Sequence, residues 1–339
     1  MEYRYIGKSG LRVTPICMGT MSFGNWSDKK ESFKILDMAY ERGINFYDTA
    51  EIYPIPPKSE YAGLTEQIIG EWLQTKPRES IILASKVAGA ANGWFVPPIR
   101  HGLTAIDRFH IQKALEGSLK RLKTDYIDLY QVHWPDTIIP KEESMRALDE
   151  LVKSGKVRYL GTSNDTAYGL VKSNTIAHYE KLSRFESIQN NFSMLNPRFL
   201  DELSTIARKE QISLLPYSPI AGGVLSGKYN QQFIDPKTRF GEYLHASETR
   251  LKAMYGRFVN EKTLGATAKY LEIAKRYELS PVTLAVAWSM HFDFVASTII
   301  GARHASQLEE SFKAFETKLS PEILREIEAV QKEILYPMG

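Results

Sequence analysis

Eight short apolar runs, each followed by an amphipathic helical stretch, set the strongest limit on what this chain can fold into. The runs cover residues 16–19, 45–48, 81–86, 126–133, 157–163, 186–190, 212–217 and 295–300. Helical periodicity fills the intervals at 30–42, 64–74, 110–122, 142–153, 168–179, 198–210, 264–277 and 281–290, and returns at 307–315 and 321–333. Alternation of strand and helix implies parallel pairing through right-handed crossovers. An open doubly wound sheet would gather its polar groups at one switch point. Here polar residues close the runs all round the series: Asp48, Lys86, His133, Asn164, Gln189 and Tyr217. Eight units with this distribution predict an α/β fold, a (β/α)8 TIM barrel with its site at the C-terminal ends of the strands. Residues 3–13 predict an N-terminal β-hairpin turning at Lys8-Ser9-Gly10, and the last two periodic segments are extra C-terminal helices. Asp28 and Gly43 read as the N-cap and the stop of the first helix. Between Ser218 and Asn260 no period is legible, and a long irregular stretch is expected. Nothing linker-like divides the chain, so one domain over 1–339 is expected.

Composition removes several classes. A length of 339 residues suits a barrel with insertions. A formal net charge of +3 argues against a general nucleic-acid binder. No apolar stretch approaches the ~18 residues of a membrane span, and Met1 to Tyr5 begin no secretion signal, so a cytoplasmic protein is expected. Cys17 is the only cysteine; set in an apolar run, it reads as a packed small hydrophobe. The histidines show no paired ligand spacing, so no metal site is read. No GxGxxG occurs, so no Rossmann module is expected.

The chemistry is written in Asp48, Tyr53, Lys86 and His133. The first, third and fourth end successive strand-like runs, and Tyr53 follows Asp48 by five residues. A free phenol ionises near ~10, and a neighbouring ammonium lowers that value. A buried Lys86 needs a counter-charge, which Asp48 can supply. His133 can hydrogen-bond a carbonyl oxygen. Together these residues point to proton donation by Tyr53 to a carbonyl.

Other residues fit a cofactor. Ser163, Asn164 and Gln189 end strands with groups that can pair a carboxamide, although Asn164 also reads as a helix cap. Tyr217 can stack on a flat ring. Gly222 to Lys228 satisfies GxxxxGK, but Tyr229 stands where a Ser or Thr would hold magnesium, so the triphosphate reading fails. The loop and Lys228 can still grip a diphosphate. Arg239 and Arg303 are further phosphate candidates, the second just before a helix N-terminus. Trp26, Trp94 and Trp134 are expected around an apolar substrate pocket.

Four segments carry a resemblance: Gly19-Thr20-Met21-Ser22-Phe23-Gly24, Asp48-Thr49-Ala50-Glu51-Ile52-Tyr53, Leu129 to Trp134, and Gly155 to Asn164, which follows GKxRxxGxSN. On them the chain resembles the aldo-keto reductases over essentially its whole length. Within that family, the run from Tyr53 to Pro57 and the ending Tyr336-Pro337 look like the bacterial Tas-like branch. The resemblance implies a barrel that binds NADP(H) without a Rossmann fold and reduces a small-molecule carbonyl substrate. It implies Asp48, Tyr53, Lys86 and His133 as the catalytic tetrad. It implies Ser163, Asn164, Gln189 and Tyr217 around the nicotinamide, and Ser218, Ile220, Leu225, Ser226, Gly227, Lys228 and Arg239 on the pyrophosphate side. It implies Gly301, Arg303, Gln307, Glu310 and Ser311 around the adenosine phosphate. Pro54 stands where many relatives have Gly, and Ser311 where the related channel subunits usually have Asn. Those potassium-channel β subunits offer an alternative, a nucleotide-sensing role; they commonly carry Asn at the position of His133. A preference for NADPH through Arg303 is expected.

Overall fold

A computed structural model of the chain describes residues 2–89 and 105–338. An antiparallel hairpin comes first, β1 (Arg4–Tyr5) with β2 (Arg12–Val13). Eight strands follow: β3 (Ile16–Gly19), β4 (Phe46–Asp48), β5 (Ile82–Val87), β6 (Ile127–Val132), β7 (Val157–Ser163), β8 (Phe185–Gln189), β9 (Ser213–Leu214) and β10 (Thr298–Ile300). They pair in parallel in the order β10-β3-β4-β5-β6-β7-β8-β9. Parallel bridges Leu214–Val295 and Tyr217–Ile299 join the two ends and close the barrel. The strands at this seam are shorter than the apolar runs. Pro216 has no N–H to give, and its carbonyl alone accepts from Ile299 N at 2.8 Å.

The helices are α1 (Lys29–Glu41), α2 (Leu64–Leu73), α3 (Arg108–Leu122), α4 (Lys141–Lys153), α5 (Ala167–Glu180), α6 (Leu203–Glu210), α7 (Arg239–His245), α8 (Thr249–Phe258), α9 (Glu261–Arg276), α10 (Pro281–Met290), α11 (Leu308–Phe312) and α12 (Pro321–Glu333). Asp28 caps α1 by accepting from Glu31 N, and Gly43 follows it at φ 81°. α5 is capped by Thr166, not by Asn164. The segment expected to be one helix over 198–210 splits into a 3-10 turn, Arg198–Leu200, and α6, with Glu202 off helical geometry between them. The stretch expected to be irregular contains the 3-10 turn Ala221–Ser226, α7 and α8. Thr238 caps α7, and on it Phe240 is buried against Tyr229 and Phe258, with buried Tyr243 packed edge-on to Phe240. Helices this short draw most of their stability from tertiary packing.

Inward and outward faces alternate along each strand. Outward residues such as Tyr47, Leu83, Tyr130 and Val132 join the large core under the helices. Inward residues Cys17, Phe46, Ala84 and Leu129 pack on Ile6, Leu11 and Val13 of the hairpin, which plugs the barrel floor. Two residues further on, the same inward faces carry Asp48, Lys86 and Gln131. The polar site thus stands on an apolar floor. Among the described residues no helix is long and apolar enough to cross a membrane.

Candidate active site

Lys86 is fully buried on β5, beside Asp48 at the end of β4. Its ammonium donates to Asp48 Oδ1 at 2.5 Å, to the Thr49 carbonyl at 2.7 Å and to Tyr53 Oη at 3.5 Å. Three donors meet three acceptors, which is what a buried ammonium requires. Burial works against the charge of Lys86, but Asp48 and Tyr53 outweigh it and hold its pKa above the usual lysine value. Burial likewise pushes the Tyr53 phenol up, and the opposing pull of Lys86 does not cancel it. The lowering expected from the ammonium is therefore present as a contribution and absent as a net result. At neutral pH Tyr53 carries its proton.

His133, just past β6, meets the Tyr53 ring edge-on at 5.8 Å between centroids. Burial, followed by the charge of Lys86, pushes its pKa well below the ordinary value, so the imidazole is neutral. Its Nδ1 is buried with no hydrogen-bond partner among the described residues. Trp134 stacks flat on it at 4.1 Å. Trp134, Met21 and Ile55 pack around Tyr53, Ile52, Ala50 and Ala88 as an apolar rim. Met21 and Ile55 lie inside segments that carry the family resemblance, but neither was expected at the pocket from sequence. Trp94 lies outside the described residues.

Beside the tetrad, polar groups lock together at the strand ends. Ser163 donates to the Gln189 carbonyl at 2.7 Å. Asn164, at φ 55°, donates to the His133 carbonyl at 2.9 Å and accepts from the Tyr217 hydroxyl at 2.7 Å. Gln189 donates to Asp48 Oδ2 at 2.9 Å. Gln131 donates to the same oxygen at 3.0 Å and was not foreseen. Counting back two residues from His133 along an alternating strand would have found it.

A cluster of cations forms a second centre. Ser218, Ile220, Leu225, Ser226 and Gly227 lie in or beside the 3-10 turn that leads to Lys228, and Arg239 opens α7. Gly223, at φ 100°, leaves room for Lys228, whose Cε would stand 2.8 Å from an added Cβ. Partial burial, then the charges of Arg303 and Arg239, lower the Lys228 pKa. Arg239 Nε and one terminal nitrogen of Arg303 are buried without a hydrogen-bond partner among the described residues. Unsatisfied guanidinium donors beside a destabilised ammonium fit a phosphate-bearing group. Arg303 is also held by Glu242 at 3.0 Å and lies over the Trp26 ring at 4.1 Å. Trp26 donates to Glu242 at 2.7 Å, so it belongs with the cations and not with the rim around Tyr53. Gln307 accepts from Arg303 N at 2.8 Å, close after Gly301, while Glu310 and Ser311 lie further along on α11. No group of His, Cys, Asp or Glu suited to a metal occurs among the described residues.

The sequence model described as the Aldo/keto reductase family matches residues 15–332. Protein tas of Escherichia coli is 37% identical, covering 99% of this chain and 99% of that protein. The uncharacterized oxidoreductase YrpG of Bacillus subtilis is 34% identical over 96% of this chain and 94% of its own length. A probable voltage-gated potassium channel subunit beta of Oryza sativa is 31% identical over 97% and 96%.

Proposed function

This chain belongs to the aldo/keto reductase family, and on that premise we propose that it reduces an aldehyde or ketone with NADPH, Tyr53 giving the proton. The observation that carries the reading is the single buried ammonium of Lys86, which reaches both Asp48 and Tyr53. Lys228, Arg239 and Arg303 would hold the cofactor phosphates, and Ser163, Asn164, Gln189 and Tyr217 its flat ring. When bound, NADPH supplies the hydride for the carbonyl carbon. Tyr53 passes its phenolic proton to the carbonyl oxygen, and Lys86 stabilises the phenolate that remains. Asp48 keeps Lys86 charged through that change. Neutral His133 donates an N–H to the same oxygen and orients the substrate. The rim of Met21, Ile55 and Trp134 excludes water, which strengthens each of these contacts.

Tyr53→Phe tests the assignment. It is expected to remove at least about a hundredfold of turnover, the scale of general-acid catalysis, and to leave NADPH affinity near wild type by fluorescence titration. Turnover close to wild type in that variant would sink the mechanism. The likeness to proteins named as potassium channel β subunits supports a second reading, a nucleotide-sensing subunit. Steady NADPH oxidation with simple aromatic aldehydes separates the two, since a sensor would bind the nucleotide without sustained turnover.

A further inference from the structure

Barrel interiors are filled by default with branched apolar side chains. Gln131 breaks that rule at full burial. It stands beside Lys86 in the β5–β6 ladder and beside Gly161 in the β6–β7 ladder. The gap at Gly161 is part of the arrangement: a Cβ there would lie 3.1 Å from Gln131 Cγ and 2.5 Å from Ser187 Oγ. Both ends of the Gln131 amide are committed. Its Nε2 donates to Asp48 Oδ2 at 3.0 Å, and its Oε1 accepts from Gln189 Nε2 at 3.2 Å. Gln189 Nε2 donates to the same Asp48 oxygen at 2.9 Å.

A carboxylate only accepts, so both amides must turn their nitrogens to Asp48. Gln131 then offers its oxygen to Gln189 and takes that residue's second N–H. The Gln189 oxygen is left facing away from Asp48. We propose that Gln131 is a positioning residue, an amide relay that fixes the Asp48 carboxylate and the Gln189 carboxamide in one orientation. It thereby links the proton-donating end of the site to the cofactor end; this second half rests on the function proposed above. The relay leaves Asp48 Oδ1 to Lys86 alone, and it makes Gln189 an acceptor toward the barrel mouth, where a carboxamide N–H would meet it.

Two variants test this. Gln131→Leu keeps the volume and restores the usual apolar filler, so the barrel is expected to fold. Gln131→Glu keeps the shape, and its protonated form still gives one O–H to Asp48 and one oxygen to Gln189. Its ionised form sets a second carboxylate against Asp48. The other ionisable groups around that position are Lys86 on β5, Cys17 on β3, Tyr53 and His133. β7 and β8 present Gly161, Ser187 and Gln189, none of which titrates. Without cofactor, Gln131→Glu is expected to melt near wild type at about pH 4, below the carboxylate pKa of the unfolded chain, and to lose stability relative to wild type steadily as the pH rises to about 8.5. Gln131→Leu is expected to show no such extra slope. With NADPH, Gln131→Leu is expected to lose about ten- to a hundredfold in kcat, the loss of one charge-assisted bond, and to bind NADPH several-fold more weakly by tryptophan quenching. Gln131→Glu is expected to regain turnover only toward low pH, which a merely space-filling role would not produce. Melting of Gln131→Glu parallel to wild type at both pH values overturns the contact with Asp48. Wild-type kcat, pH profile and NADPH affinity in Gln131→Leu overturn the positioning role. A wild-type chain that neither binds nor oxidises NADPH overturns the cofactor half together with the proposed function, and the melting comparison still decides the Asp48 half.

Discussion

Arg303 has one terminal nitrogen tied to Glu242 and the Lys237 carbonyl and the other left without a partner among the described residues. A guanidinium held on one side, with a buried N–H left unpaired on the other, is partly ordered before any ligand arrives, and that reduces the ordering cost of binding. If the unpaired side meets the 2′-phosphate, Arg303→Ala is expected to weaken NADPH about ten- to a hundredfold and leave NADH almost unchanged. Lys228→Ala and Arg239→Ala are expected to weaken both cofactors together. Titration of each variant with both nucleotides checks this, and equal losses on Arg303→Ala would refute the assignment. At this scale the sequence was informative about residue type and silent about environment. The spacing of Asp48, Tyr53, Lys86 and His133 foretold their meeting. The phenol of Tyr53 nevertheless sits above its ordinary pKa, because burial depends on every neighbour and not on Lys86 alone.

Among the elements, the segment from Ser218 through α8 is where patterning failed. Its conformation depends on left-handed positions at Gly222, Gly223 and Gly227 and on apolar anchors such as Phe240 that are far from one another in the chain. Gly223→Ala places a Cβ against Lys228 and forces a left-handed residue, a cost of about 1–2 kcal/mol. The variant is expected to fold with reduced stability in urea and to bind NADPH and NADH more weakly by similar factors, since Lys228 is displaced. Calorimetric titration with the two nucleotides would show it; unchanged affinities would mean that the turn does not set the position of Lys228. By contrast α1, with its Asp28 cap and Gly43 stop, was legible to within a residue because local hydrogen bonds fix both ends.

At the level of the whole molecule, one largely buried acid, Glu51, ties stability to pH. Glu51 accepts from Ala88 N at 2.6 Å, yet burial, with the charge of Glu66 adding to it, raises its pKa from 4.5 to about 7. Below pH 4.5 folded and unfolded chains both hold this proton. Between 4.5 and about 7 the unfolded chain releases it while the folded chain keeps it, so this group lowers stability as pH rises through that window. The full effect above the window is about 3 kcal/mol. Glu51→Gln keeps an acceptor for Ala88 and is expected to flatten this part of the profile, gaining stability at pH 8 and little at pH 4.5. Urea denaturation of both proteins across the range checks it, and parallel profiles would contradict it. By itself the sequence determined the barrel, its hairpin and the rim on which the tetrad stands, because strand–helix alternation and strand-end residues are local signals that parallel pairing must obey. Only the tertiary structure decided that Gln131 joins Asp48 to Gln189, that Trp26 lies with Arg303 and not beside Tyr53, and that Tyr53 keeps its proton. Each of those depends on which side chains from distant strands and loops share one buried volume, and the separations along the chain carry no record of that.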